Sequence, residues 1–195
     1  MVKRPYHHGD LRSALLTSAE RTLREKGAAA LALRELAREI GVSHAAPGRH
    51  FKDKQALLDA LAVVGFERLA GSLEEADDAE ETLERRLVTF ARTYMDFALH
   101  NAELLDVMQT RKYDPNAPEE LTAAVDRIMA AFLRMVADGQ DRGEVVPGDP
   151  ARVSLVAIAT LQGIAALAAH RSFPDAVLED LDDVVRHLVH GLAPR

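Results

Sequence analysis

Cysteine and tryptophan are absent from this 195-residue chain, and aromatic residues make up only 5% of it. Without cysteine there is no disulfide, no thiolate metal site and no cysteine nucleophile. No segment alternates apolar and polar residues as a half-buried strand does, so no sheet is expected. The first ten residues are polar and lack the apolar core of a secretory signal. G-x-S-x-G, a phosphate-binding glycine loop and H-E-x-x-H are all missing. These absences point away from an enzyme, and no cofactor or metal is expected. His7 and His8 are adjacent, but no further ligand accompanies them. The longest apolar run, residues 153–169, is 17 residues long and interrupted by Ser154, Thr160 and Gln162. A membrane-spanning helix needs about 20, so the run reads as a buried helix of a cytoplasmic protein with no membrane partner.

What is present is helical periodicity and a lopsided charge. Residues 1–56 hold 11 lysines and arginines against 6 acidic residues, whereas residues 57–195 hold 13 against 25. A basic head on an acidic body is the layout of a DNA-binding unit joined to a part that stays off the duplex. Asp10 is placed to cap a first helix that runs to Lys26 and stops at Gly27, with Leu11, Leu15, Ala19 and Leu23 in one stripe. Leu33, Leu36, Ala37 and Ile40, spaced i, i+3, i+4, i+7, mark a short second helix that ends at Gly41. Ser43 is placed to cap a third helix over about 44–51, and Asp53 a fourth carrying Leu57, Leu58, Leu61 and Val64. Further helices are expected at about 82–100, 102–110, 118–138, 150–170 and 175–191, divided by turn-forming segments such as YDPNAP and GQDRGEVVPGDP. The acidic run EEADDAEE at 74–81 reads as a solvated helix end or loop.

Helices two and three are joined by Gly41-Val42-Ser43, a helix-turn-helix spacing in which the first helix braces and the second enters the major groove. Val42 is placed to bury between them. The segments YHHGDLRSALLTSAERTLREKG and LRELAREIGVSHAAPGRHFKDKQALLDAL, within residues 6–61, resemble the N-terminal domain of TetR-family transcriptional regulators. HFKDKQALL is the most specific part of the match. YHHGDLR and SHAAP resemble the subgroup whose C-terminal domain carries a Trp-His-Gly signature. The matching stretch here, IATLQG at 158–163, keeps only Gly163, with Ile158 and Gln162 in the other two places. The resemblance implies an all-α fold of about nine helices. A three-helix helix-turn-helix DNA-binding domain at 1–56 precedes a larger helical effector-binding and dimerisation domain at 57–195. It further implies a homodimeric, ligand-responsive repressor of a pseudo-palindromic operator.

On that reading His44, Ala45, Arg49 and His50 project from helix three towards bases or phosphates. His44 leads because it follows the cap. Ser43 and Lys54 are expected on phosphates, Lys54 together with the free amides at the start of helix four, and Arg34 on another. Arg34 and Lys52 also fit a merely solvated role. Lys3, Arg4 and Tyr6 form a basic arm that follows the duplex. Two residues depart from the family pattern. Gly48 replaces the usual tyrosine and costs about 1 kcal/mol of helix propensity relative to alanine. Ala32 replaces the usual Ser or Thr cap of helix two, at about 1 kcal/mol. Pro47 falls where its fixed φ suits a first helical turn. A TetR-like ligand-binding or protein-interaction module with weakened DNA binding is the alternative.

The effector pocket is expected among helices five to eight, with Tyr94, Phe97, Met108, Met129, Phe132 and Gln162 as candidates. Methionine adapts to varied apolar ligands. Few aromatics and no basic cluster point to a small, mostly apolar molecule, neutral or cationic. The last two helices are more apolar than one chain of this size covers. Leu155, Ile158, Leu161, Val177, Leu181, Val184 and Leu188 are therefore expected to pair with the same helices of a second copy.

Overall fold

The computed structural model describes residues 8–169 and 180–192. Within them lie eight α-helices and no strand, so the all-α expectation holds. They are α1 (His8–Lys26), α2 (Leu33–Glu39), α3 (Lys54–Ala76), α4 (Leu83–His100), α5 (Ala102–Arg111), α6 (Glu119–Asp141), α7 (Pro150–Ala169) and α8 (Leu181–Leu192). Short 3₁₀ turns occupy Ala28–Ala30 and Pro47–Arg49. α1 begins two residues ahead of Asp10, and α6 runs three residues past the expected 138. Of the expected dimer residues, Val177 lies outside the described residues, as do Lys3, Arg4 and Tyr6 of the basic arm.

The chain divides into two compact units, one of residues through Phe66 with Asn101–Thr122, the other Glu67–His100 with Ala123 onward. The boundary expected at 56–57 falls inside the unbroken α3. In the first unit, Leu15, Ala19 and Leu23 of α1, Leu36 of α2, and Leu57 and Leu61 of α3 form the core. α5 joins it closely. A Cβ added at Gly65 would stand 2.5 Å from the Met108 sulfur, so glycine is what lets α3 approach α5. Met108, a candidate for effector contact, is completely buried in this core. Arg111 is buried beside it, donating from Nε to Asp59 at 2.6 Å and from Nη1 to Asp114 at 2.7 Å. Removing one partner of such a pair strands a buried charge.

The second unit is built on α4. Leu83, Leu87 and Ala91 pack with Phe132, Met135 and Val136 of α6, Ala157 and Leu161 of α7, and Val185 of α8. α6 ends in a Schellman motif: Gly143 takes φ 71°, its N–H bonds to the Gln140 carbonyl, and the Glu144 N–H bonds to that of Gly139. This turn points Glu144 at the start of α4, where its carboxylate accepts the Leu83 N–H at 2.6 Å.

α7 buries one face, Ser154, Ala157, Leu161, Ala165 and Ala168, while Leu155, Val156 and Leu167 on the other stay exposed. The Ser154 hydroxyl is sealed inside with no hydrogen-bond partner among the described residues. An unmet buried polar group costs about 1–3 kcal/mol, so Ser154→Ala is expected to stabilise the protein by about 1 kcal/mol. The readout is a higher urea midpoint at unchanged slope; a lower midpoint would mean that the hydroxyl is satisfied or needed for packing.

Candidate nucleic-acid interface and ligand cavity

The helix-turn-helix segment starts from a well-formed stop. Gly41 adopts φ 73°, its N–H bonds to the Arg38 carbonyl at 3.2 Å, and the Val42 N–H bonds to that of Ala37 at 2.9 Å. This is a Schellman ending, and the left-handed position favours glycine because a Cβ would clash with the backbone. The start of α2 is uncapped: Ala32 holds the cap position with extended backbone and no side-chain hydrogen bond.

The following segment corrects an expectation. Residues 44–51 do not form a continuous α-helix. The Ser43 main-chain carbonyl accepts the Ala46 N–H at 2.9 Å, and no hydrogen bond from the Ser43 side chain caps the segment among the described residues. Pro47 has no N–H to continue the ladder, so the chain tightens into a 3₁₀ turn at 47–49. His50 and Phe51 then both donate to the Pro47 carbonyl at 2.9 Å. Pro47 and Phe51 are buried and anchor the segment, and the Arg12 guanidinium lies 5.6 Å from the Phe51 ring centroid. Asp53 caps α3 through the Ala56 N–H at 2.8 Å, as expected.

Ser43, His44, Ala45, Gly48 and Arg49 are exposed on this segment, and His50 is half-buried. Ion pairing separates the cations of the unit into two groups. Arg21 pairs with Glu39, and Arg38 with Glu35. Arg34, Arg49 and Lys52 are exposed and form no ion pair among the described residues. Lys54 donates to the Ala29 carbonyl at 3.1 Å, which ties α3 to the 28–30 turn.

The second unit contains a cavity of about 280 Å³. Its wall comes from one face each of α3 (Ala70, Leu73, Glu74), α4 (Arg86, Phe90) and α6 (Ile128, Phe132, Met135, Asp138). α4 and α6 are among the helices expected and α3 is not, and of the six candidates only Phe132 lines it. Tyr94 and Phe97 are buried elsewhere on α4, and Met129 and Gln162 are half-buried outside the lining. Arg86 is buried at the cavity's edge. Its Nε and Nη2 donate to Asp77 at 2.8 Å each, and its Nη1 to Asp138 at 3.2 Å. The hydrogen bonds it donates to Asp77 hold the guanidinium pKa above its usual value, against the opposing effect of burial. Glu74 is bonded by Arg127 and kept below the ordinary carboxylate range by that contact. A legible signal for this site existed: Arg86 falls on the apolar stripe Leu83, Leu87, Phe90, Ala91, and a charge on a buried stripe implies a partner.

The short α2, the Gly41 stop and the turn at 47–49, followed by a helical body, have the layout of a helix-turn-helix regulator. The model described as "Bacterial regulatory proteins, tetR family" matches residues 15–61. "Tetracyclin repressor-like, C-terminal domain" matches residues 87–192, more than half of the chain. The chain belongs to the TetR family of transcriptional regulators. A Rhodococcus protein described as of unknown function is 45% identical, with TM-score 0.85 over 98% of this chain and 100% of that one. A Rhodococcus tetR-family regulatory protein has TM-score 0.70 at 20% identity, covering 94% and 97% of the two chains. An HTH-type transcriptional regulator of Mycobacterium tuberculosis is 28% identical over 141 residues, 69% of this chain. That match spans 59% of the relative's length.

Proposed function

We propose that this regulator is a cytoplasmic, ligand-responsive repressor that binds a pseudo-palindromic operator as a homodimer. The observation that supports it best is the set of uncompensated cations, Arg34, Arg49 and Lys52, on the helix-turn-helix unit beside exposed His44 and Ser43. Paired cations have little left to offer a phosphate, whereas free ones release condensed counterions on binding. Residues 1–56 take the DNA-binding role, and residues 57–195 the effector and dimer roles. α3 begins next to the DNA-facing segment and its far end lines the cavity, so a ligand touching Ala70, Leu73 and Glu74 acts on the helix that carries the head. The ligand can shift the population only by its differential affinity for the two states.

The test is anisotropy titration of DNA from upstream of the regulator's own gene against a scrambled duplex, at ~0.15 M salt, where nonspecific binding is weak. Selective binding with two chains per site is the expected result. The weakened-DNA-binding alternative draws on the 3₁₀ geometry and on Gly48, which is exposed with open space around its Cβ position. Gly48→Tyr is expected to tighten selective binding by about tenfold, the sum of two backbone contacts per dimer of ~0.7 kcal/mol each. Equal, weak binding to both duplexes by the wild type and by Gly48→Tyr would favour the interaction-module reading.

Dimerisation is assigned to the uncovered face of α7. Leu155 is 67% exposed there, Ile158 is half-buried, and Leu161 already serves the core of its own chain. Leu181, Val184 and Leu188 of α8 are partly buried. Leu155→Glu introduces no clash within one chain, so it is expected to keep the fold and halve the solution mass by light scattering. An unchanged dimer would move the interface elsewhere.

A further inference from the structure

We propose that the α3/α4/α6 cavity takes a small apolar molecule bearing one cationic amine, its body against Phe90, Ile128 and Ala131 and its ammonium at Asp138. This rests on the effector reading of the same cavity. Arg86 is a poor receptor for an acid, because the two carboxylates to which it donates, Asp77 and Asp138, already outweigh its single charge. Two carboxylates on one buried guanidinium leave one negative charge in excess. That excess is most available at Asp138, which is held by a single 3.2 Å bond and has a side chain 53% exposed. Its other oxygen accepts no hydrogen bond among the described residues.

The other end of the lining has the opposite balance. Glu74 takes both nitrogen contacts of Arg127, and Arg134 stands near it. Arg127 lies outside the lining, however, and the residues that face the cavity hold three carboxylates, Glu74, Asp77 and Asp138, against two guanidiniums, Arg86 and Arg134. The lining is therefore net negative. Phe90 and Phe132 meet edge to face, with centroids 4.8 Å apart and planes at 71°. Aromatic faces attract ammonium groups, and the attraction grows with desolvation. The volume of about 280 Å³ lies at the small end of ligand cavities, which suits a single-ring amine.

The experiment uses the full-length protein and three isosteric probes, 4-phenylbutylamine, 4-phenylbutanol and 4-phenylbutyrate, titrated by calorimetry at neutral pH. The amine is expected to bind at least about tenfold tighter than the alcohol, with the butyrate weakest. Asp138→Asn removes the charge but keeps an acceptor for Arg86, and should bring the amine-to-alcohol ratio to about one. Glu75→Gln, from the same acidic run but outside the lining, should leave that ratio intact. Butyrate binding tightest, amine and alcohol binding equally to the wild type, or a ratio that survives Asp138→Asn would each overturn the proposal. So would the absence of binding by all three probes. Release of operator DNA is scored on the same samples. Selective amine binding without release would keep the ligand class and remove the effector reading.

Discussion

The double substitution Arg34→Ala with Arg49→Ala is expected to lower operator affinity about 10³-fold at ~0.15 M salt, with the fold unchanged. Each head presents these two guanidiniums exposed and free of ion pairs among the described residues. A dimer therefore loses about four phosphate contacts on one operator, and the slope of log affinity against log salt should shrink by about 3.6. Extrapolated from ~1 M salt, where electrostatic contacts contribute little, that slope accounts for the loss. Arg38→Ala is the matched control, because Arg38 is already paired with Glu35. An affinity series from ~0.05 to ~0.3 M salt checks both quantities. A slope that does not change would show that neither arginine meets phosphate, and the DNA face would have to be sought elsewhere on the unit.

Phe132→Ala is expected to reduce unfolding free energy by about 3–5 kcal/mol. Phe132 is completely buried, belongs to the core cluster of the second unit and meets Phe90 edge to face. Truncation removes its transfer free energy, leaves a void that well-packed helices close only in part, and deletes the ring contact, itself worth about 0.5–1.5 kcal/mol. For a chain of this size each kcal/mol moves Tm by about 2–4 °C, so calorimetry should show a drop of roughly 6–20 °C. Phe132→Leu keeps most of the volume and should cost less than about half as much. A loss under about 1 kcal/mol for the alanine variant would mean that the α4–α6 packing is not as tight as described.

Periodicity and turn chemistry carried most of the helical pattern. Apolar residues every third or fourth position fixed which faces of α1 and α2 turn inward, because helical geometry alone puts them on one side. Gly41 was readable as a left-handed stop, since few other residues tolerate that backbone. Asp53 was readable as a cap from its place before an apolar run. The short motif around residues 50–58, with the basic excess of the first 56 residues, pointed to a DNA-binding head before any coordinates.

Non-local packing decided what local pattern could not. Residues 44–51 have helical side chains, but removal of one N–H at Pro47 and an anchor at buried Phe51 converted the segment to a 3₁₀ turn. Met108 looked like a ligand contact because methionines suit pockets. Only the approach of Gly65, far away in sequence, shows that it is sealed between α3 and α5. The acidic run at 74–81 looked merely solvated, yet Asp77 binds Arg86 and Glu74 binds Arg127 across helices that no window of sequence brings together. The sequence by itself determined most of the helices, their stops and the basic excess of the first 56 residues, because these depend on neighbours within a few residues. Tertiary structure alone decided where the cavity lies, which charges remain free and which face of α7 stays uncovered, because each depends on helices meeting from distant parts of the chain.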